Sequence, residues 1–216
     1  MTIHEEVKQW ERHDGGNIFR GLGLPANASI LDYGCGFGHY TLAVSRFLGQ
    51  QGNVHAVDIN KECLKHISGI VQEEGLLNIH TTCGNSDYVL DFPDHHFDMI
   101  MYYDILHGEG QHRFILYKEA FRTLKPGGVL SVLPFHLSNF RDRDGKKKTY
   151  TYAKIIKEIT EYGFTEMDVK PTGVHFEKYH SKYYIDKGGV TFNQLETAPI
   201  INCRKINVNG DDPCGI

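Results

Sequence analysis

Short apolar runs alternate with helix-like stretches along most of the chain. Five short, β-rich runs predict strands at residues 29–34, 53–59, 78–84, 97–103 and 129–135. Three intervening segments carry apolar residues at three- and four-residue spacing and predict helices at residues 39–48, 61–75 and 112–124. This alternation indicates parallel strands joined by crossover helices, and therefore an α/β fold with helices on both faces of one sheet.

The pattern changes toward the C-terminus. KPGG at residues 125–128 predicts a turn into the fifth strand, because proline suits the second turn position and glycine tolerates a positive φ at the third. Residues 136–149 form a long polar connection, and residues 150–164 have the apolar spacing of a last helix. Closing strands are expected within residues 165–179 and 198–206.

The whole chain, residues 1–216, is expected to form a single domain, since this length suffices for a full hydrophobic core. Apolar residues in the first part suggest an amphipathic helical segment that covers the site as a lid or simply packs on the sheet. The expected parts are an N-terminal lid segment 1–27, a core 28–135, a region 136–208 with the loop, last helix and closing strands, and a tail 209–216.

Charge and cysteine content favour an ordinary soluble protein. The 23 basic and 27 acidic side chains leave a formal charge of −4, which gives no reason to expect binding to nucleic acid or to a membrane surface. The sequence has neither a secretion signal nor the ~20 consecutive apolar residues of a membrane span, so we expect a cytoplasmic location. Five scattered cysteines without a CxxC pair predict reduced thiols.

The first predicted strand runs into ILDYGCGFG at residues 30–38, where glycine occupies every second position from Gly34. A single tight turn needs one such glycine, so the others indicate a backbone that a ligand approaches closely. Asp58 ends the second strand about 20 residues later, where an acidic side chain can accept hydrogen bonds from both hydroxyls of a ribose. The spacing differs from the GxGxxG of dinucleotide-binding proteins, which disfavours a pyrophosphate site.

Four motifs in order, ILDYGCGFG, VHAVDI, FDMIMYYDILH and LKPGGVLSVLPF, make residues 28–135 resemble the class I S-adenosylmethionine-dependent methyltransferases. Within that superfamily, the chain resembles the small, single-domain members related to the quinone-biosynthesis C-methyltransferases. This resemblance implies a Rossmann-like, seven-stranded, mostly parallel sheet in the order 3-2-1-4-5-7-6, with the last strand antiparallel. It also implies S-adenosyl-L-methionine as the cofactor and S-adenosyl-L-homocysteine as the product.

Position by position, the resemblance puts Asp32 beneath the methionine part of the cofactor, Asp58 at the ribose and Ile59 against the adenine. Asn85 stands where the family usually has an aspartate at the adenine amino group, and an amide oxygen still accepts that hydrogen bond. Carboxylates at the strand ends would also attract the cationic sulfonium and ammonium groups. The implied cofactor-binding residues are Asp32, Gly34, Cys35, Gly36, Asp58, Ile59, Asn85, Ser86, Tyr103 and Asp104.

No catalytic residue is assigned, since a methyl group on a sulfonium needs only an in-line nucleophile. His107 and His136 are expected at the cofactor ends of strands four and five, where both a role as base and a structural role fit. The adjacent His95 and His96 lack a third spaced ligand, so no metal site is predicted. The loop 136–149 fits a lid that favours an anionic acceptor and also fits a solvated loop, which is the favoured interpretation.

The resulting prediction is a cytoplasmic methyltransferase that acts on a small molecule, since little of the chain lies outside the cofactor core to bind a macromolecule. Three alternatives stay open at this point. One is a binding protein that keeps the cofactor fold without the reaction. Another is an NAD-dependent oxidoreductase, which the glycine spacing disfavours, and the last is an aminopropyl transferase, for which no acidic polyamine pocket is recognised. The acceptor atom and the oligomeric state are left open.

Overall fold

The computed structural model describes residues 3–107, 112–176 and 196–206 of the chain. The α-helices in this part are α1 Ile3–Gln9, α2 His39–Leu48, α3 Lys61–Glu74, α4 His112–Thr123 and α5 Tyr152–Glu161. The strands are β1 Ser29–Tyr33, β2 Asn53–Asp58, β3 Ile79–Cys83, β4 Phe97–Tyr103, β5 Leu124–Leu133, β6 Phe140–Arg141, β7 Lys147–Lys148, β8 Phe164–Val174 and β9 Thr197–Lys205. Within these described ranges, every helix is too short or too polar to cross a bilayer.

Seven strands form one sheet in the order β3-β2-β1-β4-β5-β9-β8. The first five strands pair in parallel, whereas β9 lies antiparallel to both β5 and β8. This is the predicted order, because β6 and β7 form a separate small hairpin and β9 is the last strand of the sheet. The α/β fold class with an antiparallel last strand is therefore confirmed.

Helices cover both faces of the sheet. On one face, the N-terminal segment, α2 and α3 bury Phe19, Val44 and Ile67 against the strands. On the other face, α4 and α5 bury Tyr117 and Ile155 in a second cluster. Strands between two helical layers are apolar on both sides, which explains why the central runs of the sequence are continuously apolar rather than alternating.

The helix ends follow local sequence signals. The Asn60 side chain accepts the Glu62 N–H at 3.0 Å and begins α3, and Gly75 ends it in the left-handed region at φ 67°. Thr151 begins α5 by accepting the Lys154 N–H at 3.3 Å. The predicted helices 61–75 and 150–164 are therefore correct within three residues at each end.

Two connections differ from the prediction. KPGG lies inside β5, where the pairing with β4 is irregular between Phe97 and Met99; Gly127 does adopt the expected positive φ, at 75°. Residues 136–149 contain a 3₁₀ turn and the β6–β7 hairpin, so the loop has regular structure of its own. The hairpin is held because Phe140 is fully buried and stacks on Tyr150 at 4.9 Å between ring centroids.

The N-terminal segment continues from α1 through a π-helical turn and a 3₁₀ turn that reach Phe19. Trp10 is buried there, with its ring edge-on to Tyr40 at 5.2 Å and to Phe176 at 4.9 Å. Tyr40 belongs to α2 and Phe176 follows β8, so the segment ties these two elements together. Its role as a lid stays a prediction, and the expected tail 209–216 lies outside the described residues.

The parallel register brings several strand ends to one edge of the sheet. Asp32 pairs with Ala56 of β2 and with Met101 of β4, and Tyr103 pairs with Leu133 of β5. The loops after β1, β2, β4 and β5 consequently leave the sheet side by side. In open parallel sheets this carboxyl edge is where ligands bind.

Candidate active site

A cavity of about 410 Å³ opens at this edge, between the glycine turn after β1 and the ends of β4 and β8. Its volume lies in the range of pockets that hold drug-sized ligands and cofactors. The six predicted cofactor residues that line it are Asp32, Gly34, Cys35, Gly36, Tyr103 and Asp104. The structure therefore brings together residues from two strand ends that are about 70 positions apart in the sequence.

The other predicted cofactor residues lie beside this cavity rather than in its wall. Ile59 follows β2 and is 69% exposed, and Asn85 and Ser86 follow β3 and are also exposed. Since β2 and β3 are the next strands beyond β1, these residues flank the cavity along the same edge of the sheet. Their contact with an adenine ring stays a prediction.

The glycine turn has positive φ at Gly34 and Gly36, of 78° and 50°. A Cβ at Gly34 would lie 2.3 Å from Ile105 Cγ2, so the packing of the loop after β4 requires glycine there. A Cβ at Gly36 would meet no atom within 4 Å, although this residue lines the cavity. The first glycine is thus needed for the fold, whereas the second leaves the backbone accessible to a ligand.

Asp58 connects β2 to the glycine turn. Its Oδ2 accepts the Gly36 N–H at 2.8 Å, and its Oδ1 accepts the Asn60 N–H at 2.8 Å. The backbone reinforces this contact, because the Gly34 and Cys35 N–H groups both donate to the Val57 carbonyl, at 2.7 and 3.1 Å. The end of β2 therefore determines how the turn is presented to the cavity.

Asp32 is the most deeply buried charge in the cavity wall, at 2% exposure. Burial raises the pKa of its carboxyl to about 7, and repulsion from Asp58 adds to the shift. The Thr41 hydroxyl of α2 donates to its Oδ2 at 2.5 Å and acts in the opposite direction, because it stabilises the ionised form. Near neutral pH, Asp32 is therefore readily ionised by a neighbouring cation.

Tyr103 shows its ring, rather than its hydroxyl, to the cavity. Its hydroxyl donates to Ser131 Oγ at 2.8 Å, and the Ser131 hydroxyl in turn donates to Asn202 at 2.8 Å. The ring packs edge-on against Tyr40, with 4.5 Å between centroids. Tyr103 therefore contributes an apolar surface to the cavity and a buried polar link to β5 and β9.

An aromatic wall contributed by the end of β8 was missed by the sequence analysis. Val174, His175 and Phe176 line the cavity together with Phe135, onto which the His175 ring stacks at 3.7 Å between centroids. The Tyr40 hydroxyl secures this wall, because it donates to the Val174 carbonyl and accepts the Val174 N–H, both at 2.6 Å. The sequence gives a signal only in GVHF, which carries two rings directly after a strand.

Asp104 lies between two histidines at the cavity. Its Oδ1 is 3.2 Å from His107 Nδ1, and its Oδ2 is 3.5 Å from His136 Nε2. Burial raises the pKa of Asp104, but the two histidines outweigh burial, so the pKa lies below its usual value. The sequence analysis named both histidines as candidate bases, and the structure shows that they share one carboxylate.

Comparison with known proteins finds similarity to methyltransferases. Residues 30–128 match the family model described as a methyltransferase domain. The chain is 38% identical over 107 residues to the ubiquinone/menaquinone biosynthesis C-methyltransferase UbiE of Vibrio parahaemolyticus, a match that covers 49% of this chain and 40% of that enzyme. It is 30% identical over 117 residues to the demethylmenaquinone methyltransferase of Geobacillus stearothermophilus, over 54% of this chain and 49% of that one. The chain thus spans less than half the length of these curated relatives.

Solved structures share the fold over nearly the whole chain. A SAM-dependent methyltransferase from Aquifex aeolicus aligns with a TM-score of 0.66 at 19% identity, over 94% of this chain and 98% of that one. A geranyl diphosphate methyltransferase in complex with SAM aligns with a TM-score of 0.64 at 12% identity, over 92% and 87% of the two chains. At these identities the likeness establishes the fold. The separate family match over residues 30–128 agrees with the resemblance stated from the sequence motifs.

Proposed function

We propose that the chain transfers the methyl group of S-adenosyl-L-methionine to a small-molecule acceptor and releases S-adenosyl-L-homocysteine, because residues 30–128 match a methyltransferase domain. The observation that carries the proposal is the open backbone of Gly36 beside the buried carboxylate of Asp32, in one cavity of about 410 Å³. A cationic ligand that runs along a glycine-rich backbone fits this combination.

In the proposed complex, the methionine part of the cofactor lies along the glycine turn above Asp32. The sulfonium and ammonium groups are cationic and favour the ionised form of a carboxyl whose pKa is about 7. The ribose lies at Asp58, which already accepts two backbone N–H groups and has further lone pairs for hydroxyl donors. The adenine extends toward the exposed residues Ile59, Asn85 and Ser86.

Methyl transfer itself is an in-line displacement. The acceptor's lone pair forms a bond to the methyl carbon as the carbon–sulfur bond breaks, and the bonding electrons stay on sulfur. Holding both reactants in this alignment can lower such a barrier by roughly 7–11 kcal/mol without covalent help from the protein. The wall of Tyr40, Phe135 and Phe176 supports this role, since apolar rings keep water away from the reacting atoms.

We further propose that the acceptor is a small, planar molecule. The rings of Phe135 and His175 stack on each other just after the ends of β5 and β8. Such ring faces pack better against a flat acceptor than against a branched one. The curated relatives that match this chain are named for quinone biosynthesis, which is consistent with a ring-shaped acceptor. The near-neutral charge of −4 supports a cytoplasmic enzyme that acts without nucleic acid or membrane partners.

The test is to incubate the purified protein with S-adenosyl-L-methionine and a panel of aromatic and aliphatic small molecules, and to quantify S-adenosyl-L-homocysteine by mass spectrometry. A matched control compares two glycines that both have positive φ and at which an added Cβ would meet no atom within 4 Å. Gly36 lines the cavity, whereas Gly145 is in the β6–β7 turn. Acceptor-dependent product that is lost in Gly36→Ala and kept in Gly145→Ala supports the proposal. Cofactor binding without turnover of any acceptor contradicts it and favours a binding protein.

A further inference from the structure

We infer that Asp104, His107 and His136 bind a divalent transition-metal cation at the side of the cofactor cavity. One ligand atom from each side chain lies within 4.8 Å of the other two. Across the described ranges of the chain, this is the one group of three or more histidine, cysteine or carboxylate side chains with such spacing. This inference goes further than the proposed function, because methyl transfer does not itself require a metal. It also replaces the expectation from the sequence, which considered only His95 and His96 and predicted no metal site.

Two of the ligand atoms are buried without a hydrogen-bond partner. They are Asp104 Oδ1 and His107 Nδ1, each of which lacks such a partner among the described residues. The two atoms are only 3.2 Å apart, yet they do not meet the angular requirement of a hydrogen bond to each other. Buried polar atoms are normally satisfied, so this pair points to a missing ligand between them.

The backbone is shaped to bring the ligands together. Asp104 and His136 both adopt the left-handed region, at φ 57° and 52°, directly after β4 and after β5. Non-glycine residues rarely adopt this conformation, and it is concentrated at functional sites. The Asp104 N–H donates to the Leu133 carbonyl at 2.8 Å, which fixes the two strand ends relative to each other. Adjacent parallel strands thus each contribute one strained residue to the cluster.

The geometry and chemistry fit a cation. Donor atoms around a tetrahedral zinc ion lie about 3.3 Å apart, given Zn–N and Zn–O bonds of about 2.0–2.1 Å. The 3.2 Å from Asp104 Oδ1 to His107 Nδ1 is close to this value, and His136 Nε2 lies 3.5 Å from the other oxygen of the same carboxylate, Oδ2. Two imidazoles and one carboxylate are borderline ligands that suit zinc, iron(II) or cobalt(II) better than magnesium or calcium. Three protein ligands also leave coordination positions open for a further molecule.

The cation site adjoins the space assigned to the acceptor. Asp104 lines the cavity, and the His136 ring is 5.6 Å from that of His175, which lines the same cavity. If methyl transfer takes place as proposed, the open coordination positions would orient an acceptor that carries an oxygen donor. Asp104 would then bind the cation, so the cofactor-binding role that the sequence resemblance implied for it would pass to other groups.

The test uses untagged protein freed of metal by a chelator and then titrated with Co²⁺, whose visible absorption reports coordination. We expect one equivalent per chain, with the spectrum of nitrogen and oxygen ligands, and displacement of Co²⁺ by Zn²⁺. Each of Asp104→Asn, His107→Gln and His136→Gln is expected to weaken binding at least about 100-fold, since loss of even an outer-shell partner costs roughly 10–100-fold. His13→Gln is the matched control, because His13 is exposed in the N-terminal segment.

Three outcomes would overturn the inference: no saturable binding, binding that survives all three ligand variants, or an intense thiolate charge-transfer band, which would instead indicate Cys35 or Cys63. X-ray absorption on the wild-type zinc complex should count two imidazoles, and this measurement does not depend on whether the variants fold. Calorimetry with S-adenosyl-L-methionine on the metal-free protein separates the two proposals. Cofactor binding without metal binding refutes the metal site alone, and metal binding without cofactor binding refutes the proposed function alone.

Discussion

The Asp58 carboxylate accepts the N–H of Gly36 at 2.8 Å, across 22 residues of sequence. This contact joins the end of β2 to the turn that follows β1, so one side chain both shapes the turn and lies where a ribose is proposed to bind. The relationship explains why a glycine-rich turn and an acidic strand end occur together in the sequence.

Asp58→Ala should therefore weaken binding of S-adenosyl-L-methionine at least tenfold. The substitution removes the acceptor for two backbone N–H groups and for the proposed ribose hydroxyls, and hydrogen bonds to a charged group contribute roughly 1.5–3 kcal/mol. Calorimetric titration measures the change. Asp91→Ala is the control, since Asp91 is exposed and does not line the cavity. An unchanged dissociation constant in Asp58→Ala would remove this residue from the site.

The two glycines of the turn should respond differently to alanine. Gly34→Ala places a Cβ 2.3 Å from Ile105 at a positive φ, so we expect a loss of about 2–3 kcal/mol in the free energy of unfolding. Gly36→Ala meets no atom and should lose only about 1 kcal/mol, from the left-handed backbone alone. Urea denaturation compares the two variants. The account would be wrong if Gly36→Ala were the more destabilised or if it bound the cofactor normally.

Asp32 should make the protein less stable as the pH rises from about 4 to about 7. Its pKa is about 7 in the folded protein, against an ordinary value of 3.8, so the folded state binds more protons in this window and loses stability as they dissociate. The full effect is roughly 4–5 kcal/mol, from the difference between pKa values of 3.8 and about 7 at about 1.4 kcal/mol per pKa unit. Relative to the wild type, Asp32→Asn should become more stable with rising pH. If the difference in the free energy of unfolding between the wild type and Asp32→Asn stayed constant from pH 4 to 8, the prediction would be contradicted.

Arg113 should be important for holding the β6–β7 hairpin against the domain. Its buried guanidinium donates to Glu158 at 2.8 and 3.2 Å and to the Tyr150 hydroxyl at 2.9 Å, and it lies 5.2 Å from the centroid of the Phe140 ring. Arg113→Ala leaves the Glu158 carboxylate without this partner and should cost about 3–5 kcal/mol. Arg143→Ala should cost under about 1 kcal/mol, because that side chain is 64% exposed. Similar melting temperatures for the two variants would refute this role.

Local sequence patterns were sufficient for the main helices and strands and for the glycine turn, whereas the order of the sheet was predicted from the family resemblance. The apolar periodicity marks the elements, and Gly75 and Asn60 mark helix ends, because such signals act within a few residues. The structure of residues 136–149 was harder to predict from the sequence. A single apolar residue of the hairpin, Phe140, anchors it by contacting Tyr150 and Arg113, which lie outside this segment. The polar composition of the segment conceals this packing.

The aromatic wall at the end of β8 and the cluster of Asp104, His107 and His136 both depend on how the strands pair. This pairing cannot be read from the local sequence. His107 and His136 meet at one carboxylate only because Tyr103 pairs with Leu133 in the β4–β5 ladder. His175 reaches the cavity because β5 and β8 both pair antiparallel with β9 and therefore end at the same edge of the sheet. The positions nearest the glycine turn were therefore predictable, whereas those contributed by later strands required the three-dimensional arrangement.

The most direct test of the central claim is calorimetric titration of the wild-type protein with S-adenosyl-L-methionine, S-adenosyl-L-homocysteine and NAD under one set of conditions. The account predicts saturable binding of both sulfur compounds at one site per chain, with no heat from NAD, and loss of that binding in Gly36→Ala but not in Gly145→Ala. Binding of NAD alone, or no binding of either sulfur compound, would contradict it.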